Sequence, residues 1–247
     1  MDVALFATCL TDTFFPRVAE AVVRVLRHFG CRVTFPPEQT CCGQPAYNSG
    51  FHREAAALAR RLIRVFEPHP TVVCPSASCT AMVRQHYPSL LADDERWAAR
   101  AAALAAKTFE FATFLRDRLR LDVSAHLRFR EPITFHYPCH ARDIYSADDL
   151  QTCLARIPGV DLRVPARPDL CCGFGGMFAI EYPEVSGAML RDKLDQLSAT
   201  GARLVICNEG GCALQIAGGA RRRGLPLRFK HIAECLAESL GLMEPSE

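Results

Sequence analysis

The 247-residue chain has a net charge of +2 at pH 7, and 49% of its residues are hydrophobic against 23% that are charged. This composition is typical of a packed globular protein and argues against a disordered chain or one that binds nucleic acid through a basic surface. The start of the chain lacks the pattern of a signal peptide, and no stretch has the length and apolar character of a membrane helix. We therefore expect a cytoplasmic protein with no nucleic-acid partner and no membrane span.

The first half of the sequence alternates short apolar runs with segments whose apolar residues recur every three or four positions. Short apolar runs favour strands, and the longer period favours helices. In chain order we predict a strand over 3–9, a helix over 14–29, a strand over 30–36, a helix over 52–66, a strand within 71–79 and a closing helix over 107–119.

The second half repeats the same order of patterns. We predict a strand over 133–139, a helix over 148–157, a strand over 159–165, a helix over 183–199, a strand within 204–212 and a closing helix over 229–240. Alternating strands and helices imply parallel strands joined by right-handed crossovers. We therefore predict an α/β protein of two pseudo-two-fold-related parallel-sheet units, residues 1–126 and 127–247.

Thirteen cysteines are the most unusual feature of the composition. A reducing compartment disfavours disulfide bonds, the count is odd, and cysteine stays below the roughly 8–10% of residues that marks disulfide scaffolds. Metal binding or redox chemistry is therefore the leading explanation.

Five cysteine positions occur in both halves, namely Cys74 with Cys207 and the four positions that form the two sets below, and each half places a cysteine pair directly before a glycine. The first set is Cys9, Cys41, Cys42 and Cys79, and the second set is Cys139, Cys171, Cys172 and Cys212. The glycines are Gly43 and Gly173. Because these segments follow predicted parallel strands, whose carboxyl ends share one edge of a sheet, we expect the thiols of each set to converge.

Packing alone does not require cysteine at matching places in two diverged halves, whereas the unmatched Cys31, Cys153 and Cys235 are typical of core cysteines. Structural zinc usually takes pairs separated by two to four residues, so adjacent cysteines suit it poorly. They suit an iron–sulfur cluster, in which neighbouring thiolates reach different irons and glycines bring backbone N–H groups close to sulfide. A zinc-stabilised assembly module without redox activity remains the alternative from another class.

The segments CCGQPAYNSG and CCGFGG, with their spaced cysteines, resemble the cysteine-rich CCG-domain iron–sulfur oxidoreductases over essentially the whole chain. This family includes a subunit of heterodisulfide reductase and the iron–sulfur subunit of glycolate oxidase, and the resemblance is closest to the lactate-utilisation protein A group. It implies an electron-transfer subunit, inactive on its own, of a cytoplasmic complex that oxidises L-lactate to pyruvate. The implied partners are a ferredoxin-like iron–sulfur protein and a third subunit. A heterodisulfide or thiol–disulfide reductase, or a glycolate oxidase-type subunit, is the alternative.

The resemblance also implies that the two cysteine sets hold one or two [4Fe-4S] clusters. Complete CCG units end in two cysteines separated by two residues, and the first of that pair falls on Ser76 and Glu209 here, which favours one cluster over two. Further candidate ligands or cluster contacts are Cys74, Cys207, Glu209, His140, Arg142, Gly43 and Gly173. The sequence identifies no catalytic residue, and its glycines do not follow the dinucleotide-binding pattern, so we predict no nicotinamide or flavin site.

Overall fold

The computed structural model describes residues 1–245, apart from the side chain of Asp143. Its strands form two parallel sheets, with the order β2-β1-β3-β4 in the first and β5-β6-β7 in the second. The strands are β1 (Asp2–Leu5), β2 (Arg32–Thr34), β3 (Val72–Cys74), β4 (Thr108–Glu110), β5 (Ile133–His136), β6 (Leu204–Cys207) and β7 (Arg228–Lys230).

Helices connect the strands and cover the sheets. They are α1 (Cys9–Phe14), α2 (Pro16–His28), α3 (Gln44–Asn48), α4 (His52–Phe66), α5 (Ala77–Ala81), α6 (Tyr87–Leu90), α7 (Glu95–Lys107), α8 (Phe111–Asp117), α9 (Val123–His126), α10 (Ala147–Ala155), α11 (Phe178–Glu181), α12 (Pro183–Ala199), α13 (Gly210–Arg222) and α14 (Ile232–Ser239). A π-helical turn over Met82–His86 joins α5 to α6, and a 3₁₀ turn covers Cys139–Asp143. The predicted α/β class with two parallel-sheet units is confirmed.

The long amphipathic helices agree closely with the sequence prediction, and the short strands agree less well. Helices α4 and α12 have the predicted bounds, and α2 begins at Pro16, where the fixed φ of proline suits the first helical turn. The strands predicted to end at the first cysteine of each half are shorter: β1 ends at Leu5 and β5 at His136, and the cysteines begin the next helical turns.

The two closing helices were predicted too long, because their first residues form strands β4 and β7. Three-residue strands are too short to show the alternating pattern by which a strand is recognised. The strand predicted over 159–165 is reduced to a single bridge between Leu162 and Ile133. Pro165 and Pro168 supply no backbone donor, so they cannot extend the pairing.

Both halves contribute to one continuous hydrophobic core. Val22 of α2 and Phe135 of β5 are fully buried in it, together with Leu236 of α14. Helix α14, at the end of the chain, packs directly against α2, near its start. One core cluster thus crosses the predicted boundary at residue 126, while each half also buries a smaller cluster of its own, and the boundary stays a prediction. Within residues 1–245, no helix combines the length and apolar character that spanning a membrane requires.

Candidate metal centre between the two halves

All eight cysteines of the two predicted sets line one cavity of about 200 Å³. A single water molecule needs only about 10–15 Å³, so the cavity has room for a much larger group. Both halves build its walls, and the two CCG loops approach each other there, since a Cβ atom on Gly176 would lie 3.8 Å from Pro45. The sequence predicts that the thiols within each set lie close together. In the structure, both sets also lie at the same cavity.

The first set is held by three separate segments. Cys9 begins α1, Cys41 and Cys42 lie in the loop before α3, and Cys79 lies on α5. The Sγ atoms of Cys42 and Cys79 are 3.3 Å apart, and the Gly43 amide donates to Cys41 Sγ at 3.4 Å. Hydrogen bonds from Cys42 and Cys9, and then from the Gly43 amide, lower the pKa of Cys41, so this thiol is prepared to bind metal as thiolate.

The second set repeats this geometry. The Gly173 amide donates to Cys171 Sγ at 3.4 Å, the same distance as in the first set. Hydrogen bonds from Cys139 and Cys172 lower the pKa of Cys171. The Cys172 thiol also forms a hydrogen bond with Cys212. In each half the four thiols thus form a continuous chain of contacts, and a backbone N–H donates a hydrogen bond to the second thiol in sequence order.

The glycine after each cysteine pair is required by conformation and by space. Gly43 has φ +88° and Gly173 has φ +80°, in the left-handed region that other residues rarely adopt. A Cβ atom on Gly173 would lie 2.6 Å from the backbone oxygen of Ser186, and one on Gly43 would lie 3.2 Å from that of Ala55. These positions let the amides point at the neighbouring thiols while the loop packs against the following helix.

Ser76 and Glu209, at the two positions where complete CCG units carry a further cysteine, bond to each other across the two halves. The Ser76 hydroxyl donates to Glu209 Oε2 at 3.0 Å, and the backbone N–H of Ser78 donates to the same oxygen at 2.8 Å. Both side chains are buried and line the cavity. The carboxylate of Glu209 therefore joins the halves directly beside the thiols.

Cys74 and Cys207, the other matched cysteines, end strands β3 and β6 and do not line this cavity. Both are buried, and each thiol donates to the backbone oxygen two residues further on, at 3.6 Å for Cys74 and 3.4 Å for Cys207. Their position favours packing beneath the site.

The two polar candidates beside Cys139 lie in different surroundings. His140 lines the cavity, with Nδ1 3.5 Å from Cys139 Sγ. Arg142 is exposed and donates to the backbone oxygen of Asp169 at 2.9 Å, away from the cavity lining.

The unmatched cysteines lie away from the cavity. Cys31 and Cys235 are buried in the shared core, as expected for packing cysteines. Cys153 is only half-buried and lines a different cavity beside α10.

Two buried basic residues next to the second set were missed from the sequence. His136 lies beside Cys172 and Cys212, and Lys193 is fully buried with Nζ 3.3 Å from the Pro168 oxygen. Burial, with a contribution from Lys193, lowers the pKa of His136 to about 3, so its imidazole is neutral. A comparison of the two halves distinguishes His136 in the sequence, because with a shift of 130 residues this histidine matches the apolar Phe6.

A model of the cysteine-rich domain family CCG matches residues 3–84 and 133–217, which contain all eight cavity cysteines. The chain belongs to this family. It is 43% identical to lactate utilization protein A of Exiguobacterium sp. (strain ATCC BAA-1283 / AT1b), over 97% of this chain and 98% of that protein. It is 41% identical to lactate utilization protein A of Geobacillus kaustophilus (strain HTA426), over 96% of this chain and 98% of that protein. The predicted resemblance to the CCG family is thereby confirmed.

The donors around the cavity fit an iron–sulfur group. Thiolates are the ligands that such clusters use, and each set supplies four of them. The amides of Gly43 and Gly173 already donate to a thiol in each set, as backbone N–H groups do toward cluster sulfur.

Proposed function

We propose that this chain is an iron–sulfur electron-transfer subunit of a cytoplasmic complex that oxidises L-lactate to pyruvate. The observation that carries the proposal is that eight matched cysteines, four from each half, line one cavity. Near-full-length similarity to proteins named lactate utilization protein A supports lactate as the substrate of the complex. A ferredoxin-like iron–sulfur protein and a third subunit complete the proposed complex.

Each cysteine set is proposed to hold one [4Fe-4S] cluster. The equal amide-to-thiol distances in the two halves support two clusters rather than one, although neither half has the fifth cysteine of complete units. When bound, each cluster supplies a centre that gains or loses one electron. The chain's own contribution is to hold the thiols together and to direct amide donors at them.

The chain alone is not expected to oxidise lactate. Conversion of lactate to pyruvate releases two electrons and two protons; a flavin or nicotinamide normally accepts both electrons with one proton as a hydride, and the second proton leaves from the hydroxyl group. One-electron centres pass electrons onward from such an acceptor, so the oxidation itself belongs to a partner. Fast lactate oxidation by the isolated chain with an artificial acceptor would contradict this division of roles.

A thiol–disulfide reductase would be favoured by an open coordination position at Ser76 or Glu209. These two side chains hydrogen-bond to each other instead. We therefore place electron transfer ahead of disulfide reduction.

The proposal is tested by measuring iron, acid-labile sulfide and zinc per chain on protein purified without oxygen. Two cubes require about eight iron and eight sulfide, and one cube requires about four of each. Zinc without sulfide would refute the electron-transfer proposal and favour an assembly module.

The ligand assignment is tested with Cys172→Ser and the matched control Cys153→Ser. Cys172 is buried in the cavity wall, so its replacement should remove about half of the iron and the visible absorption of one cluster. Cys153 lies at another cavity, and its replacement should leave the iron content unchanged. Equal iron contents in the two variants would contradict the assignment.

A further inference from the structure

The helices that pack on the two CCG loops differ in one buried residue. Leu58 of α4 and Met189 of α12 hold matched positions, because each lies against the CCG glycine of its own half. One helical turn further along, the first half has Leu62 and the second half has Lys193. Leu62 is 1% exposed and Lys193 is fully buried. The second half therefore buries a lysine where the first half buries an apolar side chain.

The ammonium group of Lys193 has no carboxylate partner of its own. Its Nζ donates to the backbone oxygen of Pro168 at 3.3 Å, and Lys193 takes part in none of the ion pairs among the described residues. A buried charge is costly unless an opposite charge lies nearby, because the protein interior solvates ions poorly. Another source of negative charge must therefore balance this ammonium group.

The thiols of the second set supply the negative charge that Lys193 needs. Burial lowers the pKa of this ammonium group, whereas the negative charges of Cys172, Cys212 and Cys171, with a smaller contribution from the exposed Asp169, raise it. A [4Fe-4S] cluster with four thiolate ligands is itself negatively charged and becomes more so on reduction. Lys193 does not line the cavity, so it acts on a cluster there through its charge and not as a ligand.

We propose that Lys193 raises the reduction potential of the cluster in the second half, so that this cluster is reduced before the one in the first half. The inference rests on the proposed iron–sulfur function. A fixed positive charge stabilises the reduced cluster more than the oxidised one, because reduction adds a negative charge. Leu62 has no charge, so the first cluster lacks this stabilisation.

The difference between the halves gives electron transfer within the chain a direction. Both cysteine sets line the same cavity, so the two clusters are close enough to exchange an electron directly. An electron that arrives at the first cluster is therefore transferred to the second with a favourable free energy. It stays there until an acceptor removes it.

The test is a redox titration of anaerobically purified protein, followed by visible absorption and EPR. The wild type should show two one-electron steps, and Cys172→Ser should lose the step at the higher potential. Lys193→Met keeps the side-chain length without the charge, so it should move that step to more negative potentials and leave the other step unchanged. We expect about a tenfold change in the ratio of oxidised to reduced second cluster at a fixed potential, equivalent to about 59 mV for a one-electron centre.

Two further variants separate the effect of charge from that of packing. Lys193→Arg keeps the positive charge and should stay much closer to the wild-type potential than K193M. Lys107→Met is the matched control, because Lys107 is a half-buried lysine that also donates to backbone oxygens, those of Glu67 and His69. Lys107 precedes β4, at the edge of the sheet opposite the cysteines, and K107M should move neither step.

Several results would overturn the role of Lys193 while leaving the iron–sulfur function intact. These are unchanged potentials in K193M, a shift of both steps, an equal shift in K193M and K193R, or loss of the lower-potential step in C172S. The comparison of C172S with the wild type does not depend on how the Lys193 variants fold. Protein without iron and sulfide would instead refute the proposed function.

Discussion

Single residues at the CCG loops determine how closely backbone and thiols approach. Gly173 is the more constrained of the two loop glycines, because a Cβ atom there would lie only 2.6 Å from a backbone oxygen, that of Ser186. Backbone atoms cannot rotate away as a side chain does, so the helix after the loop would have to move. The Ser186 hydroxyl also donates to the Gly173 oxygen at 2.8 Å, which fixes the two segments against each other.

Gly173→Ala is therefore expected to destabilise the protein more than Gly43→Ala. A left-handed conformation costs a residue with a Cβ atom about 1–2 kcal/mol, and the contact with Ser186 adds to this cost in G173A. Gly159→Ala is the matched control, because Gly159 has φ +72° with nothing within 4 Å of the position that a Cβ atom would take. Urea denaturation should give losses in the order G173A, G43A, G159A, and equal losses in all three would contradict the steric argument.

At the scale of secondary structure, the sequence predicts long amphipathic helices well and short pairing segments badly. The apolar period over His52–Phe66 predicts α4 with its observed bounds, because an apolar stripe that continues for about four helical turns leaves little choice of where the helix begins and ends. Strand β4 has only three residues, and its Phe109 belongs equally to the apolar spacing of the helix that follows. Pairing with β3, a contact between distant segments, decides its structure, and no local pattern contains that information.

Glu110, at the junction of β4 and α8, makes stability depend on pH. Its side chain is fully buried, Oε2 accepts from the Thr113 N–H at 3.0 Å, and Oε1 has no partner among the described residues. Burial raises the pKa of this carboxyl from 4.5 to about 7, against the opposing effect of the Thr113 and Ala112 amides. Between these two pH values the folded protein holds a proton that the unfolded chain has lost, so stability falls as pH rises.

Glu110→Gln is expected to remove this dependence. The contribution of Glu110 to the free energy of unfolding should decrease by about 3 kcal/mol between pH 4.5 and pH 7, and the amide keeps an oxygen for the Thr113 N–H. Denaturation at pH 5 and pH 8 should show E110Q gaining on the wild type as pH rises. Glu38→Gln, at an exposed glutamate, is the control and should follow the wild type at both pH values. A constant difference between E110Q and the wild type would contradict the assignment.

At the scale of the whole molecule, repetition in the sequence predicts the two sheets and the two thiol sets, but not how the halves meet. The cysteines of each set follow predicted parallel strands, and the carboxyl ends of such strands meet at one edge of the sheet. The cysteine spacing therefore predicts that each set lies at that edge. The shared cavity, the packing of α14 on α2 and the hydrogen bond between Ser76 and Glu209 are contacts between the two halves, and the pattern within each half does not show which surfaces of the halves meet. His136 was missed for a related reason, since only its unpaired nitrogens and the nearby thiols distinguish it from a core residue.

Substitutions of Glu209, which contacts the first half, can distinguish a structural role of its carboxylate from a role in binding metal. Its Oε2 accepts from Ser76 Oγ and Ser78 N, so Glu209→Ala removes the acceptor of both donors beside the cavity. Hydrogen bonds to a charged group are worth about 1.5–3 kcal/mol, and we expect E209A to lose about 3 kcal/mol of unfolding free energy.

Glu209→Gln retains an oxygen that accepts from the same two donors, so it should lose less stability than E209A and keep the iron content of the wild type. Ser76→Ala is the matched change on the other half, and it removes only one of the two donors to Glu209. In a double-mutant cycle, the coupling between Ser76 and Glu209 should therefore account for part of the loss in E209A. If E209Q lost iron while its unfolding free energy stayed that of the wild type, the carboxylate would be a metal ligand, because a neutral amide oxygen preserves the hydrogen bonds but binds iron poorly.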